Sequence, residues 1–167
     1  PDSSLEIEDK TANTKNNTNQ IHFPQREKID FKKYELILDK NELKKWSDLI
    51  QNKGVVAIDC ETDSLNPVEA NIIGFSMSLE NSQACYIPLN HNTSEKCLEV
   101  FDFKEVIKDV LEEESVLKIG QNIKYDFIIL KQLGITMRNM DDTMLMSYVL
   151  RTGQRGHGLD ELSLIHI

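Results

Sequence analysis

The chain has 167 residues, 40% of them hydrophobic and 28% charged, which is enough for one globular domain and a tail. Its net charge of −9 speaks against a stand-alone grip on duplex DNA, which needs Lys and Arg against phosphates; an enzyme that holds a short single strand through metal ions remains open, since metal-binding carboxylates are themselves acidic. No apolar run approaches the roughly eighteen residues of a membrane span, and Cys60, Cys85 and Cys97 form no CxxC pair, which speaks against structural zinc and suits a reducing, cytoplasmic setting.

The chain opens on Pro1 rather than Met, without a charged-then-apolar leader, and reads as a piece of something longer. Residues 1–33 read as a polar linker or disordered tail, because a stretch such as 11–20, Thr-Ala-Asn-Thr-Lys-Asn-Asn-Thr-Asn-Gln, cannot bury enough apolar surface to offset its ordering entropy. A short strand is predicted over 34–38. Asp39 with Glu42 then forms a capping box, Leu43, Trp46, Leu49 and Ile50 follow at helical spacing, and Gly54 stops the helix. Strands are predicted over 55–58, 71–79 and 84–89, the last two joined by a hairpin at 80–82. A helix over 103–111 presents Val106, Ile107, Val110 and Leu111 on one face. A strand over 116–119 then turns through Gly120-Gln-Asn into a helix that ends near Leu133, with Gly134 after it. Asp141 is the expected cap of a last helix, 143–150. This order predicts an α/β fold, a mixed sheet flanked by helices.

Asp59 and Glu61 stand two apart at the end of an apolar strand, where alternate residues share a face. Carboxylates that close repel, and a divalent cation such as Mg²⁺ or Mn²⁺ removes the conflict; the alternative is two solvent-exposed acids at a strand end. Asp126 falls in the first turn of a helix, where the helix dipole alone can account for it. Gln121 and Asn122 either cap that helix or touch a ligand, and Lys124 and Tyr125 are candidates for phosphate or base contacts. Asp142 is either a helix-terminal acid or a neighbour of the site, whereas the surrounding Met and Leu residues read as core. Cys60 should face the core, and His91 reads as a loop residue.

Four stretches, in this order, resemble the proofreading 3′–5′ exonuclease domain of bacterial DNA polymerase I, in the DEDD superfamily. They are Ile-Asp-Cys-Glu-Thr-Asp-Ser-Leu at 58–65, Tyr-Ile-Pro-Leu at 86–89, Gly-Gln-Asn-Ile-Lys-Tyr-Asp at 120–126, and Asp-Thr-Met-Leu at 142–145 with Ser-Tyr-Val-Leu at 147–150. The likeness covers about 34–162. It implies a ribonuclease H-like fold and two-metal hydrolysis of phosphodiester bonds at a single-stranded DNA 3′ end. It further implies that Asp59 bridges two divalent ions, Mg²⁺ or Mn²⁺, that Glu61 holds the ion carrying the attacking water, and that Asp126 holds the other. By the same resemblance Leu65 packs against the terminal base, and Gln121, Asn122 and Tyr125 contact the strand. The implied partner is the polymerase region of the same parent chain, and the implied state is a monomer without membrane attachment.

The family's third motif, a Tyr and four residues later a fourth metal-binding Asp, belongs beyond the Gly-Leu-Asp-Glu-Leu match at 158–162. Residues 163–167 depart from the family's continuation and read as an aberrant or truncated end. The expectation is therefore a C-terminally incomplete fold, an impaired catalyst, and apolar surface exposed where a later helix would pack. His91, His157 and His166 are not expected to replace the fourth acid. Two other readings stay open: a ribonuclease D-like RNA-trimming exonuclease, and a non-catalytic module that binds nucleic acid or acts as a scaffold.

Overall fold

The structure, a computed structural model, describes residues 30–80, 82–91, 96–151, 153 and 156–166, without the side chains of 31 and 163–166. The expected tail therefore lies outside the described residues up to position 29. Its last part, Phe31–Lys33, forms a 3-10 turn, and the Asp30 amide before it donates to Ser82 Oγ at 2.8 Å. Of the expected aberrant end, only the backbone of 163–166 is described, as part of a helix.

Six strands form one mixed sheet among the described residues. They are β1 (Glu35–Leu36), β2 (Val55–Thr62), β3 (Ile72–Glu80), β4 (Gln83–Pro88), β5 (Leu117–Gly120) and β6 (Met140–Asp142), in the spatial order β1-β4-β3-β2-β5-β6. The β2-β3-β4 meander is antiparallel, while β1 pairs with β4, and β5 with β2 and β6, in parallel. Each parallel step needs a crossover helix. Three supply it: α1 (Lys40–Lys53), α2 (Val100–Leu111) and α3 (Lys124–Gln132). Two further helices, α4 (Thr143–Leu150) and α5 (Leu159–His166), follow β6.

Helix α1 begins and ends where the sequence places it. Asp39 accepts from the Asn41 and Glu42 amides, and Gly54 takes the left-handed conformation at φ 74° while its amide donates to Ile50 O. Glu42 reaches back to the Leu38 amide, one residue before the cap, so the box is offset by one.

Alternation sorts β2 onto two faces. Val56, Ile58 and Cys60 are buried, and through Ile58↔Met77 and Cys60↔Phe75 they share a face with β3 and, via Ile87 and Cys85, with β4. Helices α1 and α2 cover that face, with the Phe75 and Phe103 rings edge-on at 5.2 Å. The other face carries Ala57, Asp59, Ser76, Ser78 and Tyr86, and Ala57 and Asp59 are exposed on it.

Two expectations are corrected here. Residues 140–142 form strand β6, which pairs with β5 and extends the sheet by one strand. The cap of α4 is Asp142, not Asp141: the helix starts at Thr143, and Asp142, directly before it, accepts from the Met144 and Leu145 amides. No helix among the described residues is long and apolar enough to cross a membrane.

Candidate active site

Strand β2 outruns its parallel neighbour. The last β2–β5 pair is Ala57↔Ile119, so Asp59, Cys60 and Glu61 project past the end of β5 and pair only with β3, as Asp59↔Ser76 and Glu61↔Gly74. The Cys60 amide then needs an acceptor that β5 cannot offer. It donates to Asp126 Oδ1 at 2.7 Å, from the first turn of α3. One backbone bond thus brings a buried carboxylate, 2% exposed, to the residue between Asp59 and Glu61.

The electrostatics follow from that crowding. Partial burial, then the charges of Asp126 and Glu61, push the Asp59 carboxyl up to about 6. Burial also raises Asp126, against the opposing pull of the Cys60 amide. Burial first, and Asp126 second, hold the Cys60 thiol well above its usual range, so it is neither a nucleophile nor an anionic ligand. As expected, Cys60 faces the core. Among the described residues no three His, Cys, Asp or Glu side chains are gathered as a ready ion cage. Asp59, Glu61 and Asp126 are neighbours through the backbone, close enough for the charges of the other two to act on Asp59.

The other sequence candidates fall into two groups. Leu65, 96% exposed, stands on the loop that leaves β2. Asn122 is exposed and left-handed at φ 55°, with its amide donating to Asp142. Gln121 and Tyr125, in contrast, have structural partners. Gln121 Nε2 donates to His157 O at 2.8 Å and its Oε1 accepts from Thr143 Oγ1 at 2.5 Å. The Tyr125 hydroxyl donates to Ser64 O and meets Thr62 Oγ1, both at 2.5 Å, which fastens α3 to the loop bearing Leu65.

Asp142 accepts from four amides. Besides those of α4, its carboxylate takes Asn122 N and Ile123 N, each at 3.1 Å, so one buried acid organises the turn before α3 and the start of α4 together. His157 is tied through Nδ1 to Ser147 Oγ at 3.0 Å, and the His166 side chain is outside the described residues. His91 is a loop residue, as expected, with a partner that the sequence did not disclose. Its Nε2 meets the Tyr86 hydroxyl at 2.8 Å, on the sheet face that carries the acids. The available signal was Gly74, a glycine inside a strand, which marks a close approach.

A mixed sheet of this order with flanking helices is the ribonuclease H-like fold of nucleases, and it carries Asp59 and Glu61 near the end of β2 and Asp126 on α3, the helix after β5. A family model described as 3′-5′ exonuclease matches residues 34–164, and the chain belongs to that family. DNA polymerase I of Rhizobium leguminosarum is 37% identical over 154 residues, which cover 81% of this chain and 15% of the relative. The chain therefore spans only a small part of that relative. Among solved structures, the POL domain of Pol1 from M. smegmatis, in complex with DNA primer-template and dNTP, superposes with a TM-score of 0.64 at 20% identity, covering 80% of this chain and 23% of that one. Brucella melitensis NrnC with bound Mg²⁺ superposes with a TM-score of 0.56 at 21% identity, covering 80% and 61%.

Proposed function

We propose that this chain is the part of a DNA polymerase I-like protein that removes nucleotides from the 3′ end of single-stranded DNA, the proofreading reaction. The observation that carries the proposal is the Cys60 amide bond to Asp126, which adds a third carboxylate to the Asp59–Glu61 pair at the open end of β2.

The donor set fits a hard divalent cation. It is all oxygen and all of one charge, and Asp59 is raised to about 6 by repulsion and burial that a bound cation would relieve. Asp59, Glu61 and Asp126 would hold two such ions, Mg²⁺ or Mn²⁺. When bound, the ions supply a water of lowered pKa and positive charge against the attacking and leaving oxygens.

The chain's own residues do the rest. Cys60 N holds one oxygen of Asp126 and so fixes the orientation of the carboxylate. Tyr125 holds the β2 exit loop against α3, and the exposed Leu65 on that loop gives an apolar surface for the terminal base. Asn122, whose exposure leaves its side chain accessible, would touch the strand, whereas Gln121 and Tyr125 act by holding backbone in place. A single strand suits the net charge of −9 better than a duplex does, because fewer phosphates have to be met by the protein itself. The reducing cytoplasm and the monomeric state belong to the same proposal, as does a polymerase region in the parent chain.

The test is Mn²⁺-dependent release of 3′-terminal nucleotides from labelled single-stranded DNA, with Asp59→Ala beside the unaltered chain and an RNA of the same sequence as a second substrate. Slow trimming of DNA, in keeping with an impaired catalyst, that disappears in Asp59→Ala is the expected result. Activity that survives in Asp59→Ala refutes the assignment of the acids, and a preference for RNA transfers the function to the ribonuclease D type.

A further inference from the structure

The Tyr-Ile-Pro-Leu stretch at 86–89 has no part in the reading above, yet its first residue lies beside the acids. Ser76 of β3 is paired on one side with Asp59 and on the other with Tyr86, so Tyr86 shares the face of Asp59. Its ring does not point straight out. A Cβ built at Gly74 would lie 2.0 Å from the Tyr86 hydroxyl oxygen, so the phenol leans along the sheet into the space that Gly74 leaves. Gly74 is the cross-strand partner of Glu61. Paired residues carry Cβ positions about 5 Å apart. The Tyr86 hydroxyl therefore stands about that far from the Glu61 Cβ, within reach of its carboxylate. The Glu61 charge is accordingly among the causes that raise the Tyr86 hydroxyl, after burial.

The hydroxyl is itself held. His91 Nε2 lies 2.8 Å from it, with the two rings 5.8 Å apart. His91 follows an anchored stretch: Leu89 N and Asn90 N donate to Ile73 O, and Asn90 Nδ2 donates to Ile72 O. When His91 Nε2–H donates to Tyr86, the phenol proton is left to donate toward Glu61.

We propose that Tyr86 is a positioning residue for Glu61, with His91 fixing the Tyr86 hydroxyl, so that the pair sets the metal affinity of the Glu61 side of the site. The inference rests on the reading of Glu61 as a metal ligand. Outer hydrogen-bond partners of metal ligands typically change affinity by 10- to 100-fold. Gly74 is then explained as the residue whose missing side chain admits the phenol.

The experiment is Mn²⁺ titration of the chain by electron paramagnetic resonance, with thermal unfolding to confirm that each variant is folded. Tyr86→Phe keeps the ring and removes the hydroxyl, and it is expected to weaken Mn²⁺ binding about tenfold. His91→Ala should do the same, whereas His91→Gln, whose amide can still reach the hydroxyl, should bind within about twofold of the unaltered chain. Asp59→Ala is the control for the site itself. If Asp59→Ala abolishes binding while Tyr86→Phe leaves it unchanged, the positioning role is overturned and the metal site stands. If His91→Gln loses as much affinity as His91→Ala, the hydrogen bond is not the cause and the inference also fails. If Asp59→Ala binds Mn²⁺ normally, the metal-site reading itself is wrong.

Discussion

Replacing Asp59 by Asn should make the metal-free protein more stable. The Asp59 carboxyl rises from 3.8 to about 6 on folding, because partial burial and the Asp126 and Glu61 charges disfavour its anion. A shift of about two units corresponds to roughly 3 kcal/mol at 1.36 kcal/mol per unit. Asp59 is exposed, so water screens much of this, and about 1 kcal/mol is the working figure. The sign is fixed by linkage: a carboxyl that binds its proton more tightly when folded favours the fold while protonated. The penalty is therefore absent below about pH 4, grows between about 4 and 6, and is complete above about 6. Asn carries no charge and escapes it. Thermal unfolding in EDTA should show Asp59→Asn about 3 °C above the unaltered chain at pH 7.5 and level with it near pH 4. Adding Mn²⁺ at 100 times its Kd should raise the unaltered chain by about 2.7 kcal/mol and leave the variant where it was. A variant that is less stable in EDTA at pH 7.5, or an advantage that persists at pH 4, would refute the account of strain among these carboxylates.

Two further outcomes follow from the positions of Asp142 and Leu65. Asp142→Ala removes the acceptor of four amides at two helix starts and should cost about 3 kcal/mol in chemical denaturation; Mn²⁺ affinity should fall with it, since the turn that delivers Asp126 loses its anchor. Leu65→Ala should leave the unfolding midpoint within about 0.5 kcal/mol, because the side chain is 96% exposed, but raise KM for single-stranded DNA about fivefold, the equivalent of about 1 kcal/mol of lost base contact.

What the sequence disclosed was local, and what it concealed was set by pairing at a distance. Asp39, Gly54 and the apolar 55–58 run could be read because caps and strand alternation act within a few residues. Nothing local says that β1 adds to the far edge beside β4, or that 140–142 close the other edge as β6. The Asp141-for-Asp142 exchange turns on where α4 starts. Both acids precede α4 and both pair with β5, and the helix begins at Thr143, so only Asp142 stands at the position from which a side chain reaches the second and third helical amides. In the candidate site the acids themselves were visible from their spacing and from the resemblance. Their geometry was not, because the Cys60–Asp126 bond spans 66 positions. Gln121 was left open between cap and ligand contact, and its side chain is spent on Thr143 and His157.

The same point gives a reason for the site's location. A strand that ends level with its neighbours has its amides paired within the sheet and has no use for a buried acid. β2 continues past β5, and the amide it leaves unpaired at Cys60 recruits Asp126 at the cost of burying a carboxylate. Asp142 in turn holds the turn from which α3 starts, so two buried acids are arranged in series behind an exposed one. Such an arrangement is unfavourable for a scaffold, since burial disfavours the anions of Asp59 and Asp126 and so lowers stability near neutral pH. It is favourable for a protein that gains the binding energy of a cation at the same place, and this is the physical ground for preferring the nuclease over the non-catalytic reading.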